Sequence, residues 1–104
     1  MADTRLADPL GRAIVLHDRT WYGHIVNGHP ELIGHRELVE RAIQDPSQIR
    51  QSRSDPNCRL FYGTGPGDNA IIMVVVDVVL GLVKTAHLAR KITGGTIEWS
   101  KQTP

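Results

Sequence analysis

Two histidines in the first third of the chain are the side chains best suited to chemistry. His24 and His29 follow the aromatic pair Trp21-Tyr22, and Pro30 comes directly after the second of them. Histidine has an unperturbed pKa near physiological pH, so it is the usual proton carrier in catalysis. The pair therefore indicates general acid–base chemistry. The alternative is that His24 is a half-buried structural residue and His29 only caps a helix.

The composition bounds the classes of protein to which this chain can belong. Its 104 residues suit one domain, with 40% hydrophobic and 22% charged residues, as in ordinary globular proteins. The formal net charge of +1 excludes a strongly basic nucleic-acid coat but is compatible with a local basic groove. The single cysteine, Cys58, excludes an intramolecular disulfide and a cysteine-based zinc site. It favours a reducing compartment, and we expect a cytoplasmic protein.

Neither a cofactor nor a metal is expected. His24 and His29 are five residues apart, which rotates them by about 140° around a continuous helix. The chain has no His-Glu-x-x-His spacing and no carboxylate cluster. The glycine-rich segment 63–67 lacks the Lys-Ser/Thr that follows a phosphate-binding loop, so it predicts a hairpin turn.

The element order predicts an α+β fold. Residues 1–11 read as a loose leader, and residues 12–104 as a single domain. Asp18 is the expected N-cap of a helix over residues 19–27, which places Trp21 and Ile25 on one face. A second helix ends before Pro46 and carries an apolar stripe of Leu38, Val39, Ala42 and Ile43. Strands are predicted over residues 13–16, 59–62, 70–78, 82–87 and 96–101, with an extended connector or short strand over 47–54.

The apolar run over residues 70–76 is too short to cross a membrane. A transmembrane helix needs about 20 apolar residues. The Val/Ile richness of this run predicts a buried strand instead, and no membrane partner is expected.

An ordered set of short motifs spans residues 14–100. It comprises Trp21, His24-Ile25, His29-Pro30-Glu31, Ile43, Pro46, Ile49, Ser52, Phe61-Tyr62, Val74-Val75-Val76, Val83-x-Thr85-Ala86, Gly95 and Trp99. The set resembles the phage and prophage nuclease-like domains grouped with barnase, EndoU, colicin and RelE. The resemblance implies N-terminal helices packed on a roughly four-stranded antiparallel sheet. It also implies a metal-independent bacterial endoribonuclease from a toxin or phage-conflict setting, with RNA and a cognate antitoxin or immunity protein as partners.

The resemblance also implies where the site residues lie. The catalytic candidates are His24, His29, Arg53, Thr85 and His87, and the substrate-binding candidates are Arg50, Arg59 and Tyr62. His87 stands where an aromatic residue often follows the Thr-Ala pair, and it adds a second proton carrier. His87 and Thr85 share one face of a strand, whereas Lys84 points to the other face unless the strand is bulged.

Each of these candidates has a structural alternative. Arg53 lies in a polar connector, where an exposed surface charge is the usual role. Thr85 suits any pleated strand surface, and Tyr62 at a strand end is a typical core residue.

The implied reaction is attack of an RNA 2′-OH on the adjacent phosphorus. An enzyme removes that proton, stabilises charge on the phosphoryl oxygens and protonates the leaving 5′-oxygen, and none of these steps requires a metal. The alternative is a catalytically inactive RNA- or protein-binding module of the same fold. The near-neutral charge and the glycine-rich turn favour that alternative.

Overall fold

Seven strands and a few short helical segments make up the protein. The structure, a computed structural model, describes residues 3–101; residues 1–2 of the predicted leader and 102–104 of the predicted domain lie outside that range. The strands are β1 (Thr4–Ala7), β2 (Ala13–Leu16), β3 (Gln48–Gln51), β4 (Cys58–Thr64), β5 (Ile71–Asp77), β6 (Leu82–Ala89) and β7 (Ile97–Ser100). The helical segments are α1 (Asp18–Thr20), a π-helical turn (Trp21–Ile25), α2 (Val26–Gly28), a 3-10 turn (Pro30–Leu32) and α3 (Arg36–Gln44).

All seven strands belong to one sheet, in the order β1-β2-β6-β5-β4-β3-β7. Neighbouring strands are antiparallel except β2 and β6, which run parallel and pair only at Val15 and Leu82. Within residues 3–101, most of the β6 edge that faces β2 therefore lacks a strand partner. Residues 18–25 pack against β6 instead.

The predicted arrangement of N-terminal helices on a roughly four-stranded antiparallel sheet is wrong. The structure is a mixed α+β fold whose seven-stranded sheet curls into a half-barrel, with only short helices. Two features account for the difference. Residues Thr4–Ala7, inside the predicted leader, form the edge strand β1. The short strands β2, β3 and β7 extend the central β4-β5-β6 meander on both sides.

Several local predictions are confirmed. The apolar stripe lies on α3, where Val39, Ala42 and Ile43 are buried. Trp21 and Ile25 are both buried on one side of their helical segment.

The predicted N-cap is wrong. Asp18 is the first helical residue, and its carboxylate pairs with Arg36 of α3 at 2.7 Å. No helix within residues 3–101 combines the length and apolar character needed to span a bilayer.

The core lies on one face of the sheet, as the alternation of buried and half-buried residues along β5 shows. Ile72, Val74 and Val76 are fully buried in a single hydrophobic cluster. Side chains two residues apart in a strand share a face, so the residues between them point away from this cluster. The helix α3 covers the core face across β4 and β5.

The curl of the sheet brings an ion-pair network together. Arg12, just before β2, donates to both carboxylate oxygens of Glu98 in β7, at 2.7 and 3.2 Å. Glu98 also accepts from Arg59 of β4 at 2.9 Å, and Arg12 pairs with the buried Asp8 at 2.7 Å. Residues near opposite edges of the sheet are thereby joined through side chains.

Candidate functional site

One face of the central strands is incompletely covered, and we call it the open face. The strand register aligns Leu60, Val75 and Thr85 in one row across β4, β5 and β6. The next row contains Tyr62, Met73 and His87. All of these except Tyr62 are half-buried, opposite the fully buried core residues of β5. The open face thus offers an apolar floor with a hydroxyl and an imidazole on β6.

A β-bulge in β6 interrupts the regular alternation beside Thr85. Val75 pairs with Thr85 but the next residue, Val76, pairs with Val83, so Lys84 has no cross-strand partner. A bulge of this kind lets two successive side chains leave the same side of a strand. Lys84 and Thr85 accordingly line the same cavity.

That cavity, of about 290 Å³, opens between β6 and the loop that joins β3 to β4. Its lining consists of His24, Ser52, Ser54, Asp55, Cys58, Val75, Lys84 and Thr85. The hydroxyl oxygen of Thr85 is buried, and no group within residues 3–101 forms a hydrogen bond with it. A buried hydroxyl without a partner is energetically unfavourable, so an acceptor or donor supplied by a ligand would stabilise this position.

A second cavity, of about 380 Å³, continues along the open face. It shares Ser52, Ser54 and Val75 with the first cavity, and Arg53, Leu60, Met73, Thr93 and Gly94 complete its lining. We call the two cavities together the groove. The Nε atom of Arg53 donates to the Gly94 carbonyl at 2.9 Å, which anchors this exposed side chain beside the floor.

A histidine pair lies next to the groove. The rings of His29 and His87 are 5.5 Å apart between centroids and inclined by 36°. His87 is the cross-strand neighbour of Met73 in the groove floor and lies two residues, about 6.6 Å, along β6 from Thr85. Its Nδ1 lies 2.9 Å from the Leu88 carbonyl, which can only accept. A hydrogen bond between these two atoms requires the ring to donate from Nδ1.

The structure places the five predicted catalytic residues at the groove or its border. His24 and Thr85 line one cavity, Arg53 lines the other, and His29 lies beside His87 at the border. The side chain of His29 also lies 3.7 Å from the Glu31 carboxylate.

The three predicted substrate-binding residues are engaged in contacts within the fold. Tyr62 is fully buried, and its hydroxyl donates to the Thr93 carbonyl at 2.8 Å. Arg50 donates to Gln48 at 2.9 Å. Arg59 points to the core side and pairs with Glu98. These contacts give all three residues structural roles.

The cysteine in the groove is a poor nucleophile. Burial raises the pKa of the Cys58 thiol, and the neighbouring Asp55 carboxylate raises it further. Thiolate, not thiol, is the reactive form, so Cys58 stays protonated and unreactive at neutral pH.

Another cavity, of about 470 Å³, lies apart from these histidines. It is lined by residues at the end of α3 and in the β4–β5 hairpin, including Arg41, Ser47, Thr64 and Asn69. Lys101 also lines it and is paired with Asp45 at 3.0 Å. This cavity is larger than either cavity of the groove taken singly, but its lining includes no histidine, whereas the groove combines imidazole, hydroxyl and ammonium groups.

Sequence reasoning missed Lys84 and the serines of the β3–β4 loop. Lys84 reaches the groove only through the bulge, and the surrounding residues Val83, Lys84 and Thr85 carry no glycine or proline that marks one. Ser52 was noted only as part of the ordered motif set. Within residues 3–101, no three histidine, cysteine or acidic side chains come together in a way that could hold a metal ion.

Comparison of the chain with protein-family models, with curated proteins and with solved structures found no match.

Proposed function

We propose that the protein is a metal-independent endoribonuclease that cleaves RNA by histidine acid–base catalysis in the groove. The observation that carries the proposal is the position of Thr85 in β6. His24 lines the cavity into which Thr85 faces, and His87 lies two residues along the same strand face. Two proton carriers therefore lie near one hydroxyl on a half-buried surface.

The proposed reaction is an intramolecular transfer of the phosphoryl group. One imidazole takes the proton of the RNA 2′-OH, whose oxygen forms a bond to phosphorus as the bond to the 5′-oxygen breaks. The other imidazole gives its proton to that 5′-oxygen. The products are a 2′,3′-cyclic phosphate and a 5′-hydroxyl. In-line displacement requires the base and the acid on opposite sides of phosphorus, and the proposal assigns these two roles to His24 and His87.

The remaining candidates take supporting roles in this proposal. His29 lies beside His87 with its ring tilted by 36°, and the proposal gives it the role of positioning that ring. Arg53 supplies positive charge along the groove, where its planar guanidinium can donate to phosphate oxygens. The toxin or phage-conflict setting, and an antitoxin or immunity protein as partner, remain part of the proposal on the resemblance alone.

The test is cleavage of a single-stranded RNA by the purified chain in the presence of EDTA. We expect 5′-hydroxyl and 2′,3′-cyclic phosphate ends, and no cleavage of the same sequence made as DNA, because DNA lacks the attacking hydroxyl. The substitutions His24→Ala and His87→Ala should each lower the rate by about 10²–10⁴-fold, the usual contribution of general acid–base catalysis.

His35→Ala is the matched control. His35 precedes α3 and lines neither cavity of the groove, so its removal should leave the rate unchanged. Wild-type rates in both groove variants, or cleavage that requires a divalent metal, would contradict the proposed mechanism.

A binding module without cleavage is the second candidate function. Arg50 and Arg59 are engaged in structural contacts, so the groove is less basic than expected. This lower positive charge favours a binding module. Salt-sensitive RNA binding by a folded protein that leaves the RNA intact would support this candidate, since phosphate contacts weaken as salt rises.

A further inference from the structure

The β6 bulge makes Lys84 part of the groove. In a regular strand, Lys84 and Thr85 would point to opposite faces of the sheet. Here the β5–β6 register skips Lys84, between the Val75–Thr85 and Val76–Val83 pairs. Both side chains line the cavity that also contains His24.

The ammonium group of Lys84 is available to a ligand. Lys84 is exposed, and it takes part in none of the ion pairs formed among residues 3–101. Asp55 contributes a carboxylate to the same cavity, but that carboxylate accepts a hydrogen bond from the Asn57 backbone N–H at 2.9 Å. Lys84 also borders a neighbouring cavity of about 270 Å³, which Thr20, Asp77, Leu80, Leu82 and Val83 line. The Asp77 carboxylate there accepts hydrogen bonds from the backbone N–H groups of Val79 and Leu80.

The adjacent hydroxyl identifies the class of ligand. Thr85 Oγ1 is buried without a hydrogen-bond partner in the described part of the chain. A hydroxyl donor next in sequence to a cation that forms no ion pair is suited to an anionic oxygen, and charged acceptors form the stronger hydrogen bonds. Non-bridging phosphodiester oxygens meet both requirements, because they carry the charge and accept from the hydroxyl.

We propose that Lys84 is a further catalytic residue, which binds the non-bridging oxygens of the scissile phosphate together with the Thr85 hydroxyl. The proposal rests on the proposed function, since it assigns the charge-stabilising role within the same groove. Negative charge grows on these oxygens as the 2′-oxygen attacks. A fixed ammonium group therefore stabilises the transition state more than the bound substrate.

The test compares Lys84→Ala, Lys84→Arg and the control Lys91→Ala in RNA cleavage by the full chain. Lys91 is an exposed lysine after β6 that lines neither cavity of the groove. We expect Lys84→Ala to lower kcat by about 10²-fold or more, the scale of losing one charge-stabilising group. Lys84→Arg should recover part of that loss, and Lys91→Ala should match the wild type. Unchanged thermal unfolding of all three variants would establish that they are folded.

A second measurement separates a catalytic contact from simple attraction of RNA. The affinity for an uncleavable oligonucleotide, with deoxyribose at the cleavage position, is measured over a range of salt concentrations. We expect Lys84→Ala to reduce the slope of log affinity against log salt by about one, as expected for one lost phosphate contact. The loss in kcat should exceed the loss in affinity. A rise in KM with unchanged kcat would overturn the catalytic role.

The outcomes distinguish failure of this inference from failure of the proposed function. Cleavage by the wild type and by Lys84→Ala at equal rates would overturn the inference and leave the proposed function standing. Absence of cleavage by the wild type would overturn the proposed function and the catalytic role of Lys84 with it. A salt slope unchanged by Lys84→Ala would overturn the phosphate contact itself.

Discussion

Thr85 is the residue at which the requirements of folding and of function are most clearly in conflict. Its hydroxyl oxygen is buried and has no hydrogen-bond partner within residues 3–101, in a strand where valine would fit as well. A buried polar group without a partner destabilises the folded state by about 1–3 kcal/mol. A site that binds phosphate gives a physical reason for a threonine at this position.

We predict that Thr85→Val has opposite effects on stability and on activity. Valine keeps the β-branched shape and removes the hydroxyl that has no partner, so the free energy of unfolding should stay equal or rise by about 1 kcal/mol. RNA cleavage should fall by about tenfold or more, because a hydrogen bond to the phosphate is lost. Urea unfolding and the cleavage assay measure the two effects.

Thr85→Ser is the matched control for this substitution. Serine keeps the hydroxyl and loses a methyl group, so it should retain most of the activity and be somewhat less stable. A valine variant that is as active as the wild type would show that the Thr85 hydroxyl does not contribute to the site.

At the scale of elements, the close approach of α3 to β4 holds the helix on the sheet. Gly63 lies under Ala42, and a Cβ atom built on Gly63 would be 2.8 Å from the Ala42 Cβ and 3.0 Å from its Cα. Real Cβ atoms do not approach this closely, and one of the atoms in contact belongs to the helix backbone. The absence of a side chain at residue 63 therefore determines how near the helix lies to the strands.

We predict that Gly63→Ala destabilises the protein by about 1–3 kcal/mol, the usual effect of overpacking a core. The added methyl group forces α3 away from β4 and loosens its contacts with the core. Chemical denaturation gives the change in the free energy of unfolding.

Gly23→Ala provides the comparison, since a Cβ at that position meets no atom within 4 Å. It should be neutral or stabilising by about 0.5–1 kcal/mol, because alanine suits a helical segment better than glycine. Equal stability of the Gly63→Ala variant and the wild type would show that α3 can shift without lowering the free energy of unfolding.

For the whole molecule, the Arg12–Glu98–Arg59 network joins strands that are distant in the sheet. These three side chains are each about one-quarter exposed or less. Burial raises the pKa of Glu98, but the hydrogen bonds from Arg12 and Arg59 outweigh it and hold that pKa below its ordinary value near 4.5. The ionised carboxylate is thus the form that stabilises the curled sheet.

We predict that Glu98→Gln lowers the free energy of unfolding by about 1–3 kcal/mol at neutral pH, the range for charged hydrogen bonds. The amide NH2 of glutamine cannot accept, so one arginine contact is lost. Asp45→Asn should change stability by less than about 1 kcal/mol, because the Asp45–Lys101 pair is more than half exposed. An effect of Glu98→Gln as small as that of Asp45→Asn would show that the network is dispensable.

The same network predicts how the free energy of unfolding changes with pH. A carboxyl whose folded pKa is lowered contributes stability above its unfolded pKa and loses that contribution as the pH falls through the folded pKa. The difference in stability between wild type and Glu98→Gln should therefore be full at neutral pH and shrink below pH 4.5, the ordinary pKa of this carboxyl. Urea unfolding at neutral and acidic pH measures this difference in stability. A difference that grows in acid would contradict the stabilising role of the ionised Glu98 carboxylate.

The amino-acid sequence by itself determined the local elements and the core residues within them. Apolar spacing predicted α3, and alternation or apolar runs predicted β2, β4, β5, β6 and β7 to within a few residues. These patterns are readable because burial on one face imposes a period of 3.6 residues on a helix and of two on a strand. The candidate histidines were also visible, since residue type alone indicates proton transfer.

Only the tertiary structure decided which strands pair, where the sheet curls and which side chains meet in the groove. Every residue except proline presents the same backbone donor and acceptor, so sequence says little about which distant edges join. For this reason the leader strand β1, the parallel β2–β6 contact and the bulge at Lys84 were not predicted. The contacts of Arg50 with the Gly95 carbonyl and of Arg59 with Glu98 depend on the same long-range pairing. The positive charge available in the groove depends on that pairing too.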